Sequence, residues 1–535
     1  MTRSYRRAAV ATLTFVGLAA AATGATVAST AQAAPAPVTA ARTVKADFNR
    51  DGYADFAVGV PGEDIGSATD AGSVQVFYGA AEGINPAASK VFSQSGAVVD
   101  DPETGDRFGA AVAIGDFNGD SYADLAVGVP GEDVGTIKDA GAVQVLYGSA
   151  GGIGVTGNQF LSQATSGSVN AAETGDRFGS SLAAGDIAGS SQADLAVGVP
   201  YEDVSSAKDA GAVHILRGSS SGLTTAGNQL LSQNSTGAGD KSEKGDHFGT
   251  ALAIGNVGAG SKRDLVVGIP LENVGKVADA GAVQFFPGTS GAVSTGADKV
   301  ITQNSKGIAD KAEKGDHFGA ALAAANIAGT SYADVAVGIP YENVGKVADA
   351  GAIALLRGAK AGLSTGSDQF ITQNSKGAVD KSEKADHFGA ALAAANLSGT
   401  SKAELAVGVP LENFNGKSNA GAVQVFPGGT KGLSLGSDQL LQQDRPGSEA
   451  AVETNDHFGG SLAGANVVGS SLADLVVGVP YEKVGPATAG GSVQIFRGAT
   501  AGVTVSKDQV ITQSTEGAPS FSEAGDHFGS SVAAG

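Results

Sequence analysis

Residues 178–200 read Phe-Gly-Ser-Ser-Leu-Ala-Ala-Gly-Asp-Ile-Ala-Gly-Ser-Ser-Gln-Ala-Asp-Leu-Ala-Val-Gly-Val-Pro, and the phrases at the two ends of this stretch decide the fold. The closing phrase, Ala-Val-Gly-Val-Pro or a near variant, ends at Pro61, Pro130, Pro200, Pro270, Pro340, Pro410 and Pro480, with spacings of 69 and then 70 residues. The opening Phe-Gly phrase falls at Phe108, Phe178, Phe248, Phe318, Phe388, Phe458 and Phe528, every 70 residues. Self-similarity at a fixed period marks an architecture whose units bury their apolar faces against one another.

Within one unit a strand is expected from Phe178 to Ala184 and a second from Asp194 to Val199, where Leu195, Val197 and Val199 alternate with small residues. A third is expected at Ala212 to Arg217 and a fourth around Gln229 to Ser232. Gly, Ser, Asp and Asn fill the segments between them, and no run sustains a helical period. Four strands in each of seven even units predict an all-β chain folded as a seven-bladed β-propeller, with a linear β-solenoid as the alternative. The first unit starts midway, at Asp47, and a lone Phe-Gly strand from Phe528 to Ala534 follows the last full unit. That strand is expected to complete the first blade and close the ring, leaving no open sheet edge.

Composition supports the same class. With 81 Gly and 16 Pro among 535 residues there are too many breakers for a helical protein, while 42% hydrophobic residues exclude a disordered one. The absence of Cys excludes a disulfide framework, a thiolate metal site and a cysteine nucleophile. A net charge of −20 offers no basic face to nucleic acid or to an anionic membrane. Arg3, Arg6 and Arg7, then an Ala-rich apolar run, then Ala31-Gln32-Ala33, read as a signal peptide over residues 1–33 cleaved near Ala33. A short linker over 34–46 and a propeller over 47–535 follow. No later stretch suits a membrane span, so the chain is expected to be secreted, extracellular and monomeric.

The strongest chemical signal is Asp47-Phe48-Asn49-Arg50-Asp51-Gly52-Tyr53-Ala54-Asp55. Oxygen side chains at Asp47, Asn49, Asp51 and Asp55, with the carbonyl of Tyr53, can wrap a hard cation at ~2.4 Å, and Gly52 permits the sharp turn. Asp116, Asn118, Asp120, Asp124 and the carbonyl of Tyr122 repeat the pattern, with Ser121 in the glycine position. Two Ca2+ sites are therefore expected. The other five loops have lost the middle positions and keep only the first and last, as in Asp186 and Asp194, which suits a metal-free hairpin closed by side-chain to backbone hydrogen bonds.

Phe-Gly, the aspartate-rich loop and the Gly-x-Pro phrase together resemble the FG-GAP repeat of integrin α-subunit propellers, a repeat also found in secreted bacterial proteins. The resemblance runs from Asp47 to Gly535 and implies a seven-bladed propeller with calcium in some blades, on the face opposite the usual ligand-binding surface. It places Asp47, Asn49, Asp51 and Asp55, and likewise Asp116, Asn118, Asp120 and Asp124, on the family's metal positions. The chain departs from integrins in lacking stalk domains and a transmembrane helix, so a receptor role does not carry over. Similar repeats accompany the catalytic domain of glycosylphosphatidylinositol-specific phospholipase D, which has no counterpart here.

No catalytic constellation stands out. His247, His317, His387, His457 and His527 occupy one slot before the repeated Phe, filled by Arg107 and Arg177 elsewhere, and a slot repeated around a ring suggests a structural role such as pairing with an acid. Gly218-Ser219-Ser220-Ser221-Gly222 matches an esterase pattern but is expected in a turn. Lys244-Gly245-Asp246 and Lys314-Gly315-Asp316 resemble an integrin-ligand tripeptide, which composition explains. Glu63, Glu132, Glu202, Glu272, Glu342, Glu412 and Glu482 follow the prolines and are expected either to form a negative ring or to cap their own loops. Tyr201, Leu271, Tyr341, Leu411 and Tyr481 directly follow five of the prolines and are candidates for a partner-binding strip. The function expected is a binding or adhesion module for an extracellular protein or cell-surface ligand. A hydrolase with its chemistry in the central channel and a structural matrix protein are the alternatives.

Overall fold

A computed structural model describes residues 46–235, 237, 239–444 and 451–534. The expected signal peptide and most of the 34–46 linker lie outside the described residues. Seven four-stranded antiparallel sheets form the blades of a β-propeller, and one short 3-10 turn at Pro86–Ala88 is the helical content of the described residues. The third blade shows the plan. Its strands Ser181–Gly185, Asp194–Val199, Ala212–Ser219 and Gly222–Leu231 run in spatial order from the channel outward, each pairing with the next. The first strand of every blade lies against the first strand of the next, and Ser531–Ala534 against Ala111–Gly115 completes the circle.

The second strand is buried along its whole length because both its faces meet a neighbouring blade. Leu195, Val197 and Val199 pack with Val143, Val145 and Phe178 on one side, while Ala196 on the other faces a cluster containing Leu265 and Val267. The small residues therefore set how closely blades approach. Gly198 is the clearest case: a Cβ there would sit 2.3 Å from the carbonyl oxygen of Gly249, in the Phe-Gly phrase of the next blade. The two phrases recur in register because each fits against the other.

The inner strand starts three residues later than the sequence suggests, at Ser181 rather than Phe178. Arg177 has φ 57° and Gly179 φ 93°, and two left-handed residues cannot continue a strand. Phe178 instead bridges in parallel to Gly141 of the preceding blade and is buried there. The outer strand is longer than expected, beginning at Gly222, with a bulge in its partner between Ile215 and Arg217.

Ring closure follows the expectation. Ser531–Ala534 pairs antiparallel with Phe56–Val60, matching Phe56 to Ala534 and Gly59 to Ser531. Gly529 N–H donates to the Gly59 carbonyl at 3.1 Å, the bond that Gly179 makes to Gly198 within the third blade. Phe528 bridges to Gly491 as Phe178 does to Gly141.

Candidate metal loops and the aromatic rim

At one end of the ring, the hairpins between first and second strands carry the aspartate-rich loops. The base of each hairpin is a buried acid. Asp55 is fully buried and accepts N–H bonds from Phe48 at 2.7 Å and from Gly79 at 2.9 Å. Asp124 accepts in the same way from Phe117 and Gly148. The degenerate loops keep this arrangement: Asp194 binds the N–H groups of Ile187, Ala188 and Gly218. The acid at the last position thus ties the hairpin to the third strand whether or not a metal pattern is present.

Above that base, the first two loops carry further oxygens, although their three carboxylates do not draw within 4.8 Å of one another. Asp47 accepts from the N–H groups of Asp51 at 3.1 Å and Gly52 at 3.0 Å, Asn49 Oδ1 from Asp51 at 2.9 Å, and Asp51 from Tyr53 at 3.0 Å. Asp116, Asn118 and Asp120 repeat the pattern around Ser121 and Tyr122. Gly52 has φ 97°, and Ser121 is held at φ 74°, so the second loop adopts the glycine conformation without a glycine. Burial, together with the charges of Asp47 and Asp51, pushes the Asp55 carboxyl up to about 7, and burial does the same to Asp124. A cation beside these groups would relieve that cost. In three of the degenerate loops the first position closes the turn, as Asn326 Nδ2 does on the Thr330 carbonyl at 2.7 Å, whereas Asp186 instead pairs with Lys262 and Asn256 donates to the Ser331 carbonyl, each in the next repeat.

At the opposite end, the segments after the prolines meet the segments leading into each Phe-Gly phrase. Here the histidines find tyrosines rather than acids. Tyr341 lies between His317 and His387, with ring centroids 4.6 and 4.5 Å away, and Tyr481 between His457 and His527 at 4.5 and 4.7 Å. Tyr201 stands between His247, at 4.6 Å, and the Arg177 guanidinium, 4.8 Å from its ring. Leu271 and Leu411 occupy the alternate positions of this rim and are half-buried, as is Tyr201, while Tyr341 and Tyr481 are exposed. Burial lowers the pKa of all five histidines, which favours neutral rings at pH 7. Where Gly131 replaces a large residue, a cleft of about 460 Å³ opens between Arg107, Arg177 and Tyr201. The spacing of 24 and 46 residues from each Tyr to its two partners was present in the sequence. That these columns meet across blades required the loop geometry.

The acids after the prolines neither form an exposed ring nor cap their own loops. Glu342, 3% exposed, turns inward and accepts from Gln303 Nε2 of the preceding repeat at 2.7 Å, and Glu63 takes the same bond from Gln513 across the closure. A glutamine column at 94, 163, 233, 303, 373, 443 and 513 is the signal that would have revealed this. Asp246 and Asp316 of the two Lys-Gly-Asp tripeptides are buried, so neither tripeptide is displayed. The Gly218–Gly222 segment is a hairpin turn, with Ser219 Oγ donating to the Gly222 carbonyl at 2.7 Å.

Residues 40–77, 108–146 and 178–216 match the family described as FG-GAP repeat. Among curated proteins, phosphatidylinositol-glycan-specific phospholipase D of Bos taurus is 33% identical over 156 residues, 29% of this chain and 18% of that protein. Integrin alpha-V of Gallus gallus is 30% identical over 194 residues, covering 35% and 16%, and integrin alpha pat-2 of Caenorhabditis elegans 38% over 167 residues, covering 29% and 12%. The matched part thus spans less than a fifth of each relative. A solved structure described as the Dos1 propeller shares 13% identity at a TM-score of 0.35, covering 76% of this chain and 72% of that one. The seven sheets and the matched repeats together show that this chain is a seven-bladed β-propeller carrying FG-GAP repeats.

Proposed function

We propose that the chain is a secreted, calcium-binding propeller that works as an interaction module, engaging an extracellular protein or cell-surface ligand through the rim of Tyr201, Leu271, Tyr341, Leu411 and Tyr481. The observation that carries this reading is the exposure of Tyr341 and Tyr481, each clamped between two imidazoles. A ring held rigid while exposed loses little entropy on binding, which is the property of an aromatic anchor. The likeness to integrin alpha chains agrees with an interaction role. A hydrolase in the channel would require unlike polar groups converging from several blades. The described inner strands carry only Ala, Gly, Val, Leu, Ile and Ser.

Calcium would be held in the first loop by Asp47, Asn49, Asp51, Asp55 and the Tyr53 carbonyl, and in the second by Asp116, Asn118, Asp120, Asp124 and the Tyr122 carbonyl. All donors are hard oxygens, and each hydrogen-bonded carboxylate oxygen retains a second lone pair. Bound there, the ion would brace a hairpin on the face opposite the rim. The deciding experiment compares retention of native extracellular and cell-surface material by the wild-type chain, by Tyr341→Ser/Tyr481→Ser and by Asp51→Ala. A species kept by wild type and Asp51→Ala but lost from the rim variant supports the reading. Equal retention by the rim variant, or no retained species, refutes it.

A further inference from the structure

The inward-turned glutamates form pockets that have more acceptors than donors. In the repeat centred on Asp316, one oxygen each from Glu313, Asp316 and Glu342 lies within 4.8 Å of the others. Asp316 is fully buried: its Oδ2 accepts the Glu313 N–H at 2.6 Å, and its Oδ1 has no partner. Gln303, 1% exposed, donates to Glu342 and leaves its own Oε1 without a donor. Asp310 comes within hydrogen-bonding reach of Glu342, adding a fourth carboxylate. The pocket of Asp386 repeats the convergence, with Glu383, Asp386 and Glu412, and the orphan oxygens of Asp386 and Gln373; there Gln373 donates to Glu412 and also reaches Asp380 at 3.5 Å.

Variation between repeats shows what the fourth acid does. Position 310 corresponds to Asp100, Asn170, Asp240, Asp380, Ala450 and Ser520 in the other repeats. The buried aspartate leaves an orphan oxygen at Asp106, Asp246, Asp316 and Asp386, the four repeats in which that position is Asp. Asn170, by contrast, donates to Glu202 Oε1 at 2.6 Å while Gln163 donates to Oε2 at 2.5 Å, so the third blade satisfies its glutamate with protein donors. Convergence within 4.8 Å is found among the described residues at Asp316, Asp386 and Asp456. Both features coincide at two pockets.

We propose that the pockets of Asp316 and Asp386 each bind a hard divalent cation of the calcium class, at the end of the propeller opposite the aspartate-rich hairpins. A buried carboxylate oxygen with no donor is costly unless something positive meets it, and three converging carboxylates, with a fourth acid and an amide beside them, form an all-oxygen set suited to Ca2+. Glu313 and Glu383 are exposed and Asp310 and Asp380 half-buried, which gives the ion a route from solvent. The hairpin loops take no part, so these sites stand or fall separately from them.

The test uses the full chain carrying Asp51→Ala and Asp120→Ala, which disables both hairpins, stripped with chelator and dialysed against Ca2+ at pH 7.5 with Mg2+ in excess. Bound calcium is counted by atomic emission. Asp310→Asn and Asp380→Asn copy the residue that the chain itself carries at Asn170, so the fold should tolerate them. The expected result is that each removes one ion and the pair removes two. Removal of fewer than two by the pair, at free calcium up to ~10 mM, well above the weak limit of extracellular sites, overturns the proposal. Calcium lost between wild type and the hairpin-disabled chain reports on the hairpins alone.

Discussion

Phe528→Ala should destabilise the propeller as much as the same change at Phe178, although one residue lies seven from the chain end and the other deep within the repeats. Phe528 is fully buried in a cluster with Phe56, Val58, Phe77 and Val493, and it meets Phe77 edge-on at 6.2 Å. Phe178 is buried in the matching cluster with Val143, Val145 and Leu195. Truncating a fully buried Phe costs ~3–5 kcal/mol through lost transfer energy and the cavity left behind. Unfolding entropy of ~2.1 cal/mol/K per residue, over roughly 490 residues melting together, gives about 1 kcal/mol/K, so ~4 kcal/mol lowers the melting temperature by about 4 °C. Calorimetry of wild type and both variants in one buffer resolves this, and urea titration gives the free energies. A frayed terminal strand would behave as a surface segment and cost under ~0.5 kcal/mol. If Phe528→Ala melts with wild type while Phe178→Ala falls by several degrees, the ring is not closed by this strand.

Gly198→Ala should be at least as damaging, because its Cβ would overlap a backbone carbonyl that cannot swing aside; little soluble chain is expected on expression. Calcium at one hundred times the dissociation constant should add ~2.7 kcal/mol per occupied hairpin, and Asp51→Ala should lose one such increment in thermal melts, with Mg2+ failing to substitute. His214 is buried without a partner for its Nε2, and burial drops its pKa to about 4, so the unfolded chain takes up a proton that the native chain refuses. Stability is then intact above pH ~6.5 and lost as pH falls toward 4, by about 2 kcal/mol at pH 5. His214→Gln, the residue found at Gln144 and Gln284 in the same register, should abolish that difference in urea titrations at pH 5 and 7.5.

The architecture was legible because its two phrases are the two halves of one contact. Gly198 must be Gly to admit the Gly249 carbonyl, and Phe178 must be large to fill the space beside Val143 and Leu195, so neither column can drift. Closure was legible from the strand count: the first repeat begins at Asp47 without a Phe-Gly strand, and the one that follows Phe528 supplies it, pairing with Phe56–Val60. What escaped were pairings made by loops. A strand fixes its neighbours by register, whereas the segments after Pro200 and before Phe248 meet only because the propeller brings both to one end.

The acids show how a misread column can still carry the right information. Glu342 follows a proline in a polar loop, where capping is the ordinary use of such a residue, and nothing local distinguishes it from an exposed cap. Its partner Gln303 lies 39 residues earlier, at the exit of the previous blade's outer strand, so the pair is a contact between repeats rather than within one. An inward Glu makes sense only with that amide, which bonds one of its two carboxylate oxygens, Oε2 in Glu342. The surroundings of the other oxygen differ around the ring: Asn170 donates to it in one repeat, and where the same position is Asp310 or Asp380 a further acid stands in place of that donor. Evolution of a donor at one position and an acid at its equivalents is therefore a physical difference between blades that an averaged repeat would erase. The unequal blades, more than the shared motif, are where the chemistry of this propeller resides.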